Sequence, residues 1–220
     1  MTAMVFTRPE RVRSHVDFDG FDCGEPVING WLNRHGNASN KNGSAALYLS
    51  YHKDTGELAG AYTLSSTAVV RSETNAPWMR RNAPMLVPAV LLGQLAVARQ
   101  YQHQGLAKAL VRDAVDRTLQ LGLHVGVRAL VVDPLNATLT EFYGALGFEG
   151  FAGEMRMYFR MPHYPQGCSQ EGFTSSAYHE TDSSPQRDAP RRCVPLLRFR
   201  SGALDQCASC VGRLRSAYRN

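Results

Sequence analysis

The stretch that invites chemistry first is Gln102-His103-Gln104-Gly105-Leu106-Ala107, between an apolar run and an amphipathic one. A Gly and an Ala where a helix begins leave several backbone N–H groups unshielded, and with the helix dipole they form an anion site. No Gly-Lys-Ser/Thr follows, so this is not the mononucleotide loop that depends on a lysine. A dinucleotide fingerprint would need a further Gly and an acidic residue about 20 positions on, which are missing. What remains is a pyrophosphate held by backbone, with Lys108 at the rim. About thirty residues later stand Asn136, Phe142-Tyr143 and Leu146-Gly147-Phe148. Taken by themselves, Asn136 suits a helix cap and Tyr143 a core aromatic or a proton donor.

These residues need elements to place them. Val90 to Val97 reads as a strand buried on both faces, and Gly93 inside it signals a bulge or a close approach. Leu106 to Leu121 has Lys108, Arg112, Asp116 and Gln120 along one side and Leu110, Val111, Ala114, Val115 and Thr118 along the other, an amphipathic helix covering a sheet. Val127 to Val132 is a near-continuous apolar strand of the kind parallel pairing requires. Asn136 to Leu146 reads as a helix ended by Gly147. Upstream, Asp22 to Gly36 carries Pro26 at a helix start and Val27, Ile28, Trp31, Leu32 and His35 at helical spacing. Ala45 to Tyr51 and Leu58 to Ser65, split by Asp54-Thr55-Gly56, predict an antiparallel hairpin. Residues 66–88 read as irregular, and Met155 to Met161 as a last strand. The class is α/β, a mixed sheet flanked by helices.

Composition narrows the partners. The 220 residues hold 24 Lys+Arg and 19 Asp+Glu, a net charge of +5. Residues 1–164 carry 16 basic against 14 acidic residues, and 165–220 carry 8 against 5, so the basicity sits mostly in the last quarter. The expected organisation is therefore one domain over 1–164 and a disordered extension over 165–220, with a weak helix near 203–218. The longest apolar run, Val87 to Val97, is about half of a membrane span. The N-terminus lacks the apolar stretch of a secretory signal, and the five cysteines fit a reducing, cytoplasmic setting. Cys168, Cys193, Cys207 and Cys210 lack zinc-site spacing, so no metal is expected.

In combination, Gln102, Gly105, Ala107, Asn136, Tyr143, Gly147 and Phe148 resemble the GNAT family of acetyl-CoA-dependent N-acetyltransferases, over roughly residues 5–162. The resemblance implies the GNAT fold, with a central mixed sheet splayed between two parallel strands. It implies that Gln102 to Ala107 hold the coenzyme A pyrophosphate, and that Leu95, Ala96 and Val97 pair with pantetheine. Asn136 would lie at the thiol end of the site, and Tyr143 would return a proton to the departing thiolate. No general base is evident, and water can serve for a weakly basic amine.

A narrower resemblance follows Phe21-Asp22-Cys23-Gly24, Trp31-Leu32, Tyr62-Thr63-Leu64, Arg80-Arg81-Asn82 and Leu92-Gly93-Gln94-Leu95-Ala96-Val97. In that order they are similar to the GNAT toxins of bacterial toxin–antitoxin pairs. This implies acetylation of the α-amino group of aminoacyl-tRNA, a block on translation, a ribbon-helix-helix antitoxin and a homodimer. Arg80 and Arg81 would contact tRNA phosphate. Gln94 and Ala98 depart from that group, which usually carries Arg and Asp there. The alternatives are a GNAT acting on a small amine or a protein amine, and a non-catalytic acyl-CoA or partner-binding module.

Overall fold

A computed structural model describes residues 5–162. The expected extension 165–220, its weak helix and the four cysteines within it lie outside the described residues. In chain order the elements are β1 (Glu10–Arg11), α1 (Pro26–Trp31), α2 (Asn37–Asn42), β2 (Ala46–Tyr51), β3 (Leu58–Val70), α3 (Pro77–Arg80), β4 (Leu86–Val97), α4 (Leu106–Gly122), β5 (Ala129–Val132), α5 (Ala137–Ala145), β6 (Glu149–Gly150) and β7 (Met157–Arg160). A π-turn, Leu32–Gly36, joins α1 to α2.

The strands form one sheet in the order β1-β2-β3-β4-β5-β7-β6. Only β4 and β5 are parallel, and parallel neighbours need a crossover, which α4 supplies. Its buried residues Leu106, Leu110, Val111, Ala114, Val115 and Thr118 cover the sheet, while Lys108, Arg112 and Asp116 stay exposed. The expected mixed sheet and hairpin are present.

Three readings need correction. The segment 66–88 is not all irregular: β3 runs to Val70 because Thr67, Val69 and Val70 are strand formers, and β4 pairs Leu86 with Val70. Pro88 sits inside β4 opposite Ala68, and its carbonyl still accepts the Arg128 N–H at 2.9 Å. The first helix continues past Gly36, and the π-turn sets its buried face as Ile28, Leu32 and Gly36. Val27, 72% exposed, and His35 fall off that face. Finally, β4 is not buried on both faces throughout, since Gly93, Gln94 and Leu95 are only half-buried.

On the α4 side a buried polar cluster ties the sheet together. Asp113 Oδ2 accepts from the Tyr62 hydroxyl at 2.5 Å and from Arg117 Nε at 2.6 Å. Arg117 also donates to the Pro9 carbonyl at 2.6 Å and lies 4.3 Å from the Tyr48 ring centre. Among the described residues no helix is long and apolar enough to cross a membrane.

Candidate active site

The half-buried stretch of β4 has a topological cause. β4 pairs with β5 only from Ala89 to Leu92, where β5 ends at Val132, and β4 runs on through Gly93–Val97. On its other edge, Thr63 faces Gly93 and Ala61 faces Ala96, so Gln94 and Leu95 together oppose the single residue Tyr62. That two-for-one step is a β-bulge. Gln94 takes it in the left-handed region, φ 47°, which costs a non-glycine residue about 1–2 kcal/mol. The bulge turns β4 away from β5, and the edge of Leu95, Ala96 and Val97 that would have met β5 has no strand partner among the described residues. Backbone groups that no strand pairs on that edge can bind an extended chain of amides, the Val97 carbonyl being held by the Gln102 amide.

The loop from Arg99 to Ala107 lies at the same end. Gly105 caps α4 with φ 84°, no side chain caps the helix, and a Cβ there would meet nothing within 4 Å. The N–H groups of Leu106, Ala107 and Lys108 belong to the first turn, where the helix offers no acceptor. His103, Gln104, Gly105 and Lys108 are exposed. His103 sits at φ 62°, which lets the chain turn before Gly105. This is an open, positively poised helix start.

Gln102 has a different part. Its amide Nε2 donates to the Val97 carbonyl at 3.1 Å and to the Cys23 carbonyl at 2.9 Å. Its side chain therefore fastens the loop to the end of β4 instead of pointing into the open space. Further ties come from the β2–β3 turn, where Glu57 accepts from the Tyr101 hydroxyl and from Gln100 Nε2 at 3.1 Å. The Tyr101 bond holds the Glu57 carboxyl below its usual range. Arg99 pairs with Asp22 at 3.0 Å. These loop anchors were not singled out from the sequence, since nothing local in it marks contacts across 43 to 79 residues.

Asn136 and Tyr143 stand on α5, which follows β5 at the same end of the sheet. Asn136 Oδ1 accepts the Leu139 N–H at 3.0 Å and caps the helix. The helix closes with the Phe148 N–H on the Tyr143 carbonyl at 3.1 Å and Gly147 at φ 92°, as a left-handed cap requires. Tyr143 is 4% exposed, with the Phe142 and Phe148 rings edge-on at 5.1 and 5.3 Å. Burial pushes its phenol above the ordinary value, so it holds its proton at neutral pH. Its hydroxyl has no hydrogen-bond partner among the described residues, whereas Tyr62, Tyr101 and Tyr158 each donate to a carboxylate. A buried hydroxyl without a partner is costly. The thiolate released when a thioester C–S bond breaks would supply the missing acceptor, so the residues present fit a coenzyme A thioester. Just beyond β5, Asp133 is clasped by Arg156 through contacts of 2.6 and 2.9 Å.

Arg80 and Arg81 are not part of this constellation. They lie at the start of β4, and Val97 is eleven residues further along from Leu86, about 35 Å at strand rise. Both are exposed and line a recess of about 620 Å³ with Arg71, Ser72, Asn75 and Pro77. Trp78 anchors α3 beside the sheet: Arg128 donates to its carbonyl at 2.5 Å, and the Arg160 guanidinium lies 5.0 Å from its ring centre. Arg71, missed from sequence, brings a third guanidinium to the recess.

The family model described as Acetyltransferase (GNAT) family matches residues 22–148. The chain is 32% identical over 144 residues to a tRNA-acetylating toxin of Mycobacterium tuberculosis, covering 66% of this chain and 85% of the toxin. Its fold is similar to that of AtaT complexed with acetyl-methionyl-tRNAfMet, with a TM-score of 0.65 and 29% identity over 70% of this chain and 94% of that one. It is also similar to AtaTR bound with acetyl-CoA, with a TM-score of 0.60 and 28% identity over 70% and 93% of the two chains. The chain belongs to the GNAT family of acetyltransferases.

Proposed function

We propose that this enzyme transfers the acetyl group of acetyl-CoA to the α-amino group of an aminoacyl-tRNA and so acts as a toxin that blocks translation. The observation that carries the reading is its 32% identity to a tRNA-acetylating toxin over 85% of that protein's length. The bulged, splayed end of β4 supports it.

Acetyl-CoA supplies the activated acetyl group as a thioester. The free edge of Leu95, Ala96 and Val97 binds pantetheine, and a backbone N–H there polarises the thioester carbonyl. The first-turn N–H groups of Leu106, Ala107 and Lys108, with His103, Gln104 and Gly105 shaping the approach, take the pyrophosphate. Lys108 adds its charge at the rim, and Gln102 holds the loop in register with β4. Asn136 sets the start of α5, and Tyr143 gives its phenolic proton to the leaving thiolate. No carboxylate is needed as base, because an aminoacyl ester amine is already largely neutral near pH 8 and water takes its proton.

Arg80 and Arg81, with Arg71 beside them, bind tRNA phosphate at a distance from the reacting amine. The remaining expectations are a homodimer in the cytoplasm, neutralised by a ribbon-helix-helix antitoxin. A structure of AtaT bound to the C-terminus of the antitoxin AtaR, at a TM-score of 0.61 and 28% identity, supports the antitoxin reading.

The deciding experiment offers the full chain labelled acetyl-CoA with charged and with deacylated tRNA. Label is expected in the charged pool only, in a form that survives as an N-acetylated amino acid after the ester is hydrolysed. Label in neither pool would overturn the reading.

A further inference from the structure

Five polar or charged residues are buried among the described residues: Ser50, Thr63, Thr74, Asp113 and Thr118. Four of them are satisfied. Ser50 donates to the Thr7 carbonyl at 2.8 Å, Thr74 accepts the Ala76 N–H at 3.1 Å and Thr118 donates to the Ala114 carbonyl at 2.8 Å. Asp113 accepts from Tyr62 and Arg117. Thr63 is 4% exposed, and its hydroxyl has no hydrogen-bond partner among the described residues. Native cores rarely leave a hydroxyl in that state without a reason.

Its position supplies one. Thr63 pairs directly with Gly93 in the last step of β4 before the bulge, level with the point where β5 stops. A Cβ on Gly93 would fall 2.9 Å from Thr63 Oγ1, so the glycine is what makes room for the hydroxyl. Gly60 and Tyr62 face α4, so by strand alternation Thr63 lies on the opposite face. α4 carries the open helix start, and a second substrate must reach the thioester from the side that α4 does not cover. Next along β4 is Gln94, half-buried, left-handed, and with no side-chain partner among the described residues. Glycine would take that backbone conformation without strain, yet a carboxamide stands there.

We infer that Thr63 and Gln94 form the acceptor subsite, with their hydroxyl and carboxamide hydrogen-bonding the ester carbonyl and the α-amino group of the aminoacyl end. The assignment rests on the proposed function. Both groups are neutral, and the carboxylate after β5, Asp133, is engaged by Arg156. A neutral subsite gives an ammonium no counter-charge and so selects amines that are uncharged near neutral pH, disfavouring lysine-type amines with values near 10.4.

The test uses Thr63→Val, which removes the hydroxyl at constant shape, Thr63→Ser, which restores it, and Gln94→Gly, which relieves the backbone while removing the carboxamide. Steady-state acetylation of aminoacyl-tRNA and thermal unfolding are measured on the full chain. Thr63→Val and Gln94→Gly are each expected to raise the KM for aminoacyl-tRNA by about tenfold, to leave the KM for acetyl-CoA within about twofold, and to unfold at the same or a higher temperature. Thr63→Ser should recover most of the acceptor KM. An unchanged acceptor KM, or a raised one accompanied by a lower Tm in Thr63→Val, would assign Thr63 to packing and overturn the inference. A wild-type enzyme that labels no aminoacyl-tRNA defeats both readings, whereas an active wild type matched by Thr63→Val defeats only this one.

Discussion

In the cluster on the α4 side of the sheet three polar groups have their counterparts: Tyr62 on Asp113, Asp113 on Arg117, and Arg117 on the Pro9 carbonyl. At the splayed end of β4 Tyr143 and Thr63 are also deeply buried, 4% exposed each, and their hydroxyls have no partner among the described residues. Next to them Gln94 holds a conformation that glycine would take more readily. The first cluster spans β3, α4 and the N-terminal segment, and the fold completes it. The second contains groups whose partners the fold does not provide. Burial alone therefore does not mark an active site here. Under the proposed function burial without satisfaction does, because a polar group kept out of water and left unpaired lowers stability unless something else binds it.

The sharpest way to break this contrast is Tyr143→Phe. Loss of the proton donor should lower kcat by about 10²–10⁴-fold, while Tm holds or rises because an orphan hydroxyl leaves the core. The pH profile sharpens the assignment. Burial raises the phenol above its ordinary value near 10, so it stays protonated while the acceptor amine deprotonates. Wild-type kcat/KM should climb through the amine's pKa near 7–8 and remain level to about pH 10. The sign for stability agrees: a folded pKa above the unfolded one contributes below pH 10 and is lost as pH rises past it. Full turnover in Tyr143→Phe would return Tyr143 to the aromatic packing around Phe148.

The satisfied cluster should answer in the opposite sense. Asp113→Ala leaves Arg117 and the Tyr62 hydroxyl without their acceptor, a loss of about 3 kcal/mol, or a fall in Tm of about 6–12 °C for a domain of this size. The KM values of the folded fraction should stay within about twofold, since Asp113 lies on the covered side of the sheet. Calorimetry and steady-state kinetics on one preparation check both halves. A stable Asp113→Ala enzyme with impaired acetyl-CoA binding would erase the distinction between the clusters.

The sequence reads well wherever one element carries its own signal. α4 was legible from the run between Leu106 and Leu121, α5 from Asn136 and Gly147, and the parallel pair from two apolar strands with a helix between them. The open helix start at Gly105 was legible for the same reason, because glycine before an apolar stripe is a local pattern. What escaped depends on distant pairing. The Asp113 cluster joins residues 51 to 108 positions apart, and Asp113 read from sequence is one more charge on an amphipathic helix. Gly93 announced a bulge or a close approach and delivered both, the bulge at Gln94 and the approach of Thr63. Which residue approached was fixed only by the β3–β4 register. Gln102 shows the same limit, for the loop pattern locates it correctly, but only the fold shows its amide turned toward Val97 and Cys23.

Asn136 stands between the two kinds of group and offers the smallest and finest test. Its Oδ1 is used, accepting the Leu139 N–H at 3.0 Å, while its amide N–H groups have no partner among the described residues. Asn136→Ala should cost about 1 kcal/mol through the lost cap, roughly 2–4 °C in Tm. Asn136→Asp keeps an acceptor at the cap and adds a charge suited to a helix start, so its Tm should match the wild type. A carboxylate cannot donate, however, so if the amide reaches the coenzyme the aspartate variant should raise the KM for acetyl-CoA by about fivefold. That combination, intact stability with weakened coenzyme binding, would assign Asn136 to both clusters at once. An aspartate variant with unchanged KM would place it wholly with the groups the fold completes for itself.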